Sequence, residues 1–191
     1  MANRKKQGSQ GDSPKEKASR IAAQAIARAA ASSSQATDTT PWHELVVRLG
    51  LALQAMEEDE YLIVVIRGTN LYVQFAAQGV LGMRAEATSA YYLPEDATIS
   101  DSQHLALLRL GWGAPTNLPE CIGPHEFEGS PNYFVELEPP VDHGWMAALA
   151  VATLASVFGA GSSDRLEYRA FVDDGTPIRF TDLGIEETAP D

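Results

Sequence analysis

Six consecutive apolar side chains, Tyr61-Leu62-Ile63-Val64-Val65-Ile66, constrain this chain more than any other feature. The run is short and rich in β-branched residues, so it reads as a strand buried on both faces at the centre of a sheet. Arg67-Gly68-Thr69-Asn70 then signals a turn. Residues 71–77 alternate, with Leu71, Val73 and Phe75 on one face and Tyr72 and Gln74 on the other. After Gln78-Gly79, residues 82–87 alternate Met83, Ala85 and Ala87 against Arg84 and Glu86. This is the pattern of an antiparallel meander with one core face; the opposite face mixes aromatic, amide and charged groups, as an open sheet surface does.

The flanking segments supply helices and two more strands. Before the meander, Thr40-Pro41 places an N-cap and a first-turn proline ahead of a stripe of Trp42, Leu45, Leu49, Leu53 and Met56. Gly50 weakens the centre of that helix, and Glu57-Glu58-Asp59-Glu60 ends it. After the meander, Ser100-Asp101 caps a helix over 101–110, with Leu105, Leu108 and Leu110 expected inside. Residues 113–131 are predicted to be a long loop. A strand follows over 132–138, with Tyr133, Val135 and Leu137 on one side, and Pro139-Pro140 bars its continuation. Asp142 caps the longest helix, 143–158, whose inward face is Met146, Leu149, Ala150, Thr153, Leu154, Val157 and Phe158. Gly159 and Gly161 stop it. A last strand over 166–172 turns Leu166, Tyr168 and Ala170 inward. The expected fold class is α+β, in the order α-β-β-β-α-β-α-β, with an antiparallel sheet and helices packed on one face. Its core is expected to join Trp112 and the long helix to strand 61–66.

Charge divides the chain into two opposite parts. Residues 1–40 hold seven basic and three acidic residues, and residues 41–191 hold seven arginines and 23 acids. No lysine occurs after Lys17. Residues 1–40 are expected to be a disordered basic Ala/Ser-rich tail, since their polar stretches bury too little to offset ordering. Within them, 18–31 is alanine-rich with only Ile21 and Ile26 as large apolar residues, and is expected to be helical transiently or on a partner. Residues 41–172 form the domain, and 173–191 read as an acidic C-terminal tail. A domain near 150 residues buries roughly 70% of its unfolded surface and needs no staple. An acidic domain repels phosphate backbones, so nucleic acid is an unlikely partner for the domain and stays open only for the basic tail.

Little points to chemistry. The one cysteine, Cys121, makes no internal disulfide, which fits a reducing, cytoplasmic setting. No apolar run is long enough for a membrane span, and no secretory signal stands at the start. His43, His104, His125 and His143 are scattered. His125-Glu126-Phe127-Glu128 lacks the second histidine or cysteine pair of a metal site. Asp142-His143 is better explained as a helix cap, and Cys121 has no activating neighbour. Gly79–Gly82 reads as a hairpin, not a phosphate cradle, and there is no nucleotide-binding or nucleophile-elbow motif. The expectation is a protein with no catalytic residues, no metal and no cofactor.

From Trp42 onward the chain resembles the TY-Chap family, small actinobacterial and related proteins grouped with type III secretion chaperones and YbjN-like proteins. The resemblance is carried by Leu107-Leu108-Arg109-Leu110-Gly111-Trp112 with Pro115, by Ser130-Pro131-Asn132-Tyr133-Phe134, by the helix Ala150 to Gly159 ending in Thr153-Leu154-Ala155-Ser156-Val157-Phe158, and by Leu166-Glu167-Tyr168-Arg169-Ala170-Phe171. It implies a type III secretion chaperone-like fold, often dimeric, that binds an extended segment of a partner protein. An acidic α+β domain with a half-covered sheet can do this by edge pairing and side-chain pockets. Tyr72, Gln74, Arg84, Arg169 and Phe171 are the candidate partner-binding residues on the sheet face. The alternative is a nucleic-acid- or ribosome-associated factor acting through the basic tail.

Overall fold

The computed structural model describes residues 14–32, 41–116 and 130–188. Four helices and six strands are seen: α1 (Pro14–Ser32), α2 (Trp42–Ala55), β1 (Glu60–Ile66), β2 (Tyr72–Ala77), β3 (Met83–Ala87), α3 (Asp101–Leu110), β4 (Tyr133–Leu137), α4 (His143–Ala152), β5 (Leu166–Val172) and β6 (Glu186–Glu187). The fold class is α+β, as expected, with a helix more at the front and a strand more at the end. The sheet order is β4-β3-β2-β1-β5-β6. β1 to β5 pair antiparallel, and β6 joins β5 in parallel, so the sheet is mixed.

Alternation decides which face is covered. Leu62, Val64 and Ile66 of β1, Val73 and Phe75 of β2, Met83, Ala85 and Ala87 of β3, and Leu166, Tyr168 and Ala170 of β5 are buried under the helices. α2 contributes Trp42, Leu45, Leu49 and Leu53 to this core, and α4 contributes Met146, Leu149 and Ala150. Gly50 faces Gly144 at the α2–α4 crossing, where a methyl group would lie 3.6 Å from the Gly144 Cα. Trp112 is buried and donates its indole N–H to the Thr153 hydroxyl at 2.8 Å.

The caps of α3 and α4 fall where the side chains predict. Ser100 and Gln103 form a reciprocal capping box on α3, and Gly111 ends that helix in the left-handed region at φ 118°. Asp142 accepts from the Trp145 N–H at 2.9 Å to start α4. Pro41 itself occupies the N-cap position of α2 rather than its first turn.

Four expectations need correction. First, residues Pro14–Ser32 form a docked helix and not a solvated tail: Ala22 is 1% exposed, Ile21, Ala25 and Ile26 pack on the core, and the Ser156 hydroxyl donates to the Ala25 carbonyl at 2.9 Å. Small side chains let α1 lie close to α4, a contribution missed by counting only large apolar residues. Second, the C-terminal segment folds back. Leu183 is 1% exposed, and Ile178, Phe180 and Ile185 pack beside it, interleaved with the acids that dominate its net charge. Third, Leu105 and Leu108 are 48% and 38% exposed, while Leu107 and Leu110 are buried. α3 packs against α1 and the turn 153–157 with that other stripe inward. Fourth, the long helix changes pitch: Thr153–Val157 is a π turn. The Thr153 hydroxyl donates to the Leu149 carbonyl at 2.8 Å while holding Trp112, a side-chain intrusion of the kind that accompanies such turns. Val157, expected inside, is only half-buried.

Residues 1–13, 33–40, 117–129 and 189–191 lie outside the described residues. With them fall Thr40, Cys121 and the His125-Glu126-Phe127-Glu128 run.

Candidate peptide-binding face

β1 is central, yet only one of its faces is covered. Leu62, Val64 and Ile66 turn to the helices, and Tyr61, Ile63 and Val65 turn to the opposite side, where no element among the described residues lies over them and they stay half-buried. The expectation that both faces are buried is thus corrected. The apolar residues on the second face form an open floor instead of meeting another layer.

Register places the candidate residues on that floor. Ile63 sits between Gln74 of β2 and Arg169 of β5, and Val65 between Tyr72 and Glu167. Tyr61 sits opposite Phe171, and their rings stack at 5.4 Å. Arg84 and Glu86 of β3 share the face, opposite Glu136 and Phe134 of β4. All five sequence candidates, Tyr72, Gln74, Arg84, Arg169 and Phe171, therefore lie on the open face.

The structure brings only some of them together. A groove of about 580 Å³ is lined by Ile63, Val65, Tyr72, Gln74 and Arg169, with Thr69 and Asn70 at one end. Tyr92 and Thr188 stand at its sides. A smaller hollow of about 310 Å³, with Arg169 and Phe171, adjoins it. Arg84 lies apart, within an internal network. Glu86 accepts from Gln74 Nε2 at 2.6 Å, from the Ser130 hydroxyl at 2.6 Å and from Arg84 Nη2 at 2.8 Å. Arg84 also pairs with Glu136 and lies over the Phe134 ring at 5.1 Å. Gln74 and Arg84 thus already have partners within the chain.

Burial and hydrogen bonding set the charge states here. Burial works to raise the Glu86 carboxyl, but donation from Ser130, Arg84 and Gln74 outweighs it and holds the group below its ordinary value. Burial pushes the Tyr72 phenol above its ordinary value, and the opposing effect of the Asn132 amide, which donates to its oxygen at 3.1 Å, is smaller.

The sheet edges are largely taken. Along β5, the Val172 N–H bonds Thr176 O at 2.9 Å, the Ile178 N–H bonds Ala170 O at 3.0 Å, and the Thr188 N–H bonds Tyr168 O at 2.7 Å. Along β4, Phe134 exchanges two bonds with Gly113 at 2.8 and 3.2 Å. Strand addition at these positions would have to displace the chain's own segments.

Sequence reasoning missed Ile63, Val65, Asn70, Tyr92, Glu167 and Thr188 as groove residues. The signal for the first two was present: a strand apolar on both sides in a chain with helices for only one. Tyr92 and Thr188 come from outside the strands, and no periodicity points to them. Among the described residues, no group of three or more His, Cys, Asp or Glu side chains could hold a metal ion. Nor is any helix among them long and apolar enough to cross a membrane.

Comparison with known proteins agrees with this architecture. No curated protein and no solved structure matches the chain. A family model, TY-Chap3, described as T3SS (YopN, CesT) and YbjN peptide-binding chaperone 3, matches residues 35–172. The match starts after α1 and ends with β5, so the docked first helix and the folded-back C-terminal segment lie outside it. Covering well over half of the sequence, it establishes that the chain belongs to the TY-Chap3 family of peptide-binding chaperones.

Proposed function

We propose that this protein is a non-enzymatic chaperone or adaptor that holds an extended segment of a partner protein against the open face of its sheet. One observation carries the reading: the central strand presents Ile63 and Val65 to a groove that no element among the described residues covers. Half-buried apolar floors that open to solvent can serve as interaction sites, and burying the remaining area gains about 25 cal/mol per Å², less the cost of ordering the segment. The occupied edges of β4 and β5 favour the face over strand addition. Membership of a peptide-binding family supports a peptide as the occupant. The role requires no bond making, and the side chains of the groove serve to hold rather than to react.

The test is capture of partner segments by the full chain and by a Tyr72→Glu, Phe171→Glu double variant, with Val47→Glu on the exposed side of α2 as the control. A carboxylate on the groove side would have to be desolvated at the contact. The expected outcome is loss of binding in the double variant and retention in the control, with both folded by circular dichroism. Equal binding by a folded double variant would remove the open face from the account.

A further inference from the structure

The charges of the open face are not balanced evenly. Glu86 and Glu136 are both met by Arg84. Glu167 is met by Arg67 at 3.5 Å, and Arg67 also holds Glu186 at 2.5 Å. Arg169, on the groove, forms no ion pair with any described residue. Its guanidinium lies 5.5 Å over the Phe171 ring, which in turn stacks on Tyr61. That ladder holds the cation on the groove while its donors find no acceptor among the described residues, since a ring face takes up the charge but not the N–H groups. Arg169 is also exposed, so it carries no debt of burial that would explain its position.

We propose that Arg169 is a specificity residue that selects an acidic side chain in the bound segment. The inference rests on the peptide-holding reading above. In register, Arg169 is opposite Ile63, while the apolar pair Val65 and Tyr72 lies one step of two residues along β1. An extended segment repeats its side chains on one face every two residues, about 7 Å apart. An apolar side chain seated over Val65 and Tyr72 therefore brings a carboxylate two residues away to the guanidinium. The acidic domain as a whole does not forbid this. Exposed charges beyond the Debye length of about 8 Å in physiological salt are largely screened, whereas Arg169 acts in contact. The pairing is charge-assisted, and an arginine fork fits a carboxylate better than it fits an amide.

The experiment pans a random ten-residue peptide library displayed on phage against the full chain, against Arg169→Glu and against Val65→Glu, each checked by circular dichroism. The wild-type chain is expected to enrich an apolar residue with Asp or Glu two positions away. Arg169→Glu is expected to enrich Lys or Arg at that position. Replacing the acid of an enriched peptide by its amide should weaken binding to the wild type about fivefold and to Arg169→Gln by less than twofold. Enrichment with no acidic preference, identical for wild type and Arg169→Glu but lost in Val65→Glu, would overturn the role of Arg169 and leave the open-face reading standing. Enrichment unchanged by Val65→Glu, or none at all, would overturn both.

Discussion

At the scale of single residues, the fold turns on a few close approaches. Gly82 has φ 100°, and a methyl group there would lie 1.9 Å from the Leu137 carbonyl oxygen of β4. Gly82→Ala is expected to cost about 3 kcal/mol or more, read as a lower urea midpoint, because both conformation and space oppose it. Gly50 is the contrast. Its added methyl would meet Gly144, the His143 carbonyl and Ala147 at ordinary contact distances, so Gly50→Ala should be neutral or stabilising by up to about 1 kcal/mol through helix propensity. Read from sequence alone, Gly50 was only a weak point in a helix. Glu86 gives a pH signature. Its carboxyl is held below its ordinary value of 4.5, so its stabilising share is complete above that pH and is lost as pH falls through the lowered value. Glu86→Gln should therefore show a shallower loss of stability between pH 5 and pH 3 than the wild type. Equal slopes in urea titrations at those two pH values would contradict the assignment. The sequence showed Glu86 on the open face, but its network with Ser130 and Gln74 depends on a cross-strand register that periodicity does not encode.

At the scale of elements, the strands were the most legible. Strict alternation in β2, β3 and β5 told inside from outside correctly, since a slip of one residue would exchange the faces. Helices were less so. On α3 the apolar residues at 105, 107, 108 and 110 allow two stripes, and only the tertiary surroundings choose Leu107 and Leu110. The first helix failed for a different reason: alanine contributes little apolar area per residue, yet it permits a close approach that leaves Ala22 fully enclosed against the helical layer. Ala22→Glu is expected to cost about 2 kcal/mol and to release the α1 amides to fast hydrogen exchange, because Ala22 is enclosed and a longer, charged side chain there is overpacked and desolvated. The C-terminal segment makes a parallel case. Leu183→Ala should cost about 2–5 kcal/mol by the transfer and cavity effects, where a solvated tail would give almost none. A thermal or urea midpoint unchanged by Leu183→Ala would show that residues 178–185 are not part of the core.

At the scale of the whole molecule, a six-stranded sheet carries helices on one side and, among the described residues, no element on the other. The fold was readable because its meander, its caps and its family motifs agreed with one another. The open face was readable in outline, since Tyr72, Gln74, Arg84, Arg169 and Phe171 all fall on it. The groove was not, because its sides come from Tyr92 in the loop after β3 and from Thr188 beyond β6, joined to the strands only by the fold. More exposed apolar side chains occur elsewhere, at Val47 and Leu51 on α2 and at Val80 and Leu81 between β2 and β3, and these are the natural rivals for a docking surface. Methyl-labelled NMR of the full chain with the tightest peptide from the library decides between them. The account predicts that the methyl signals of Ile63 and Val65 shift on binding while those of Val47, Leu51, Val80 and Leu81 hold still. Shifts confined to those four residues, with Ile63 and Val65 unmoved, would contradict it.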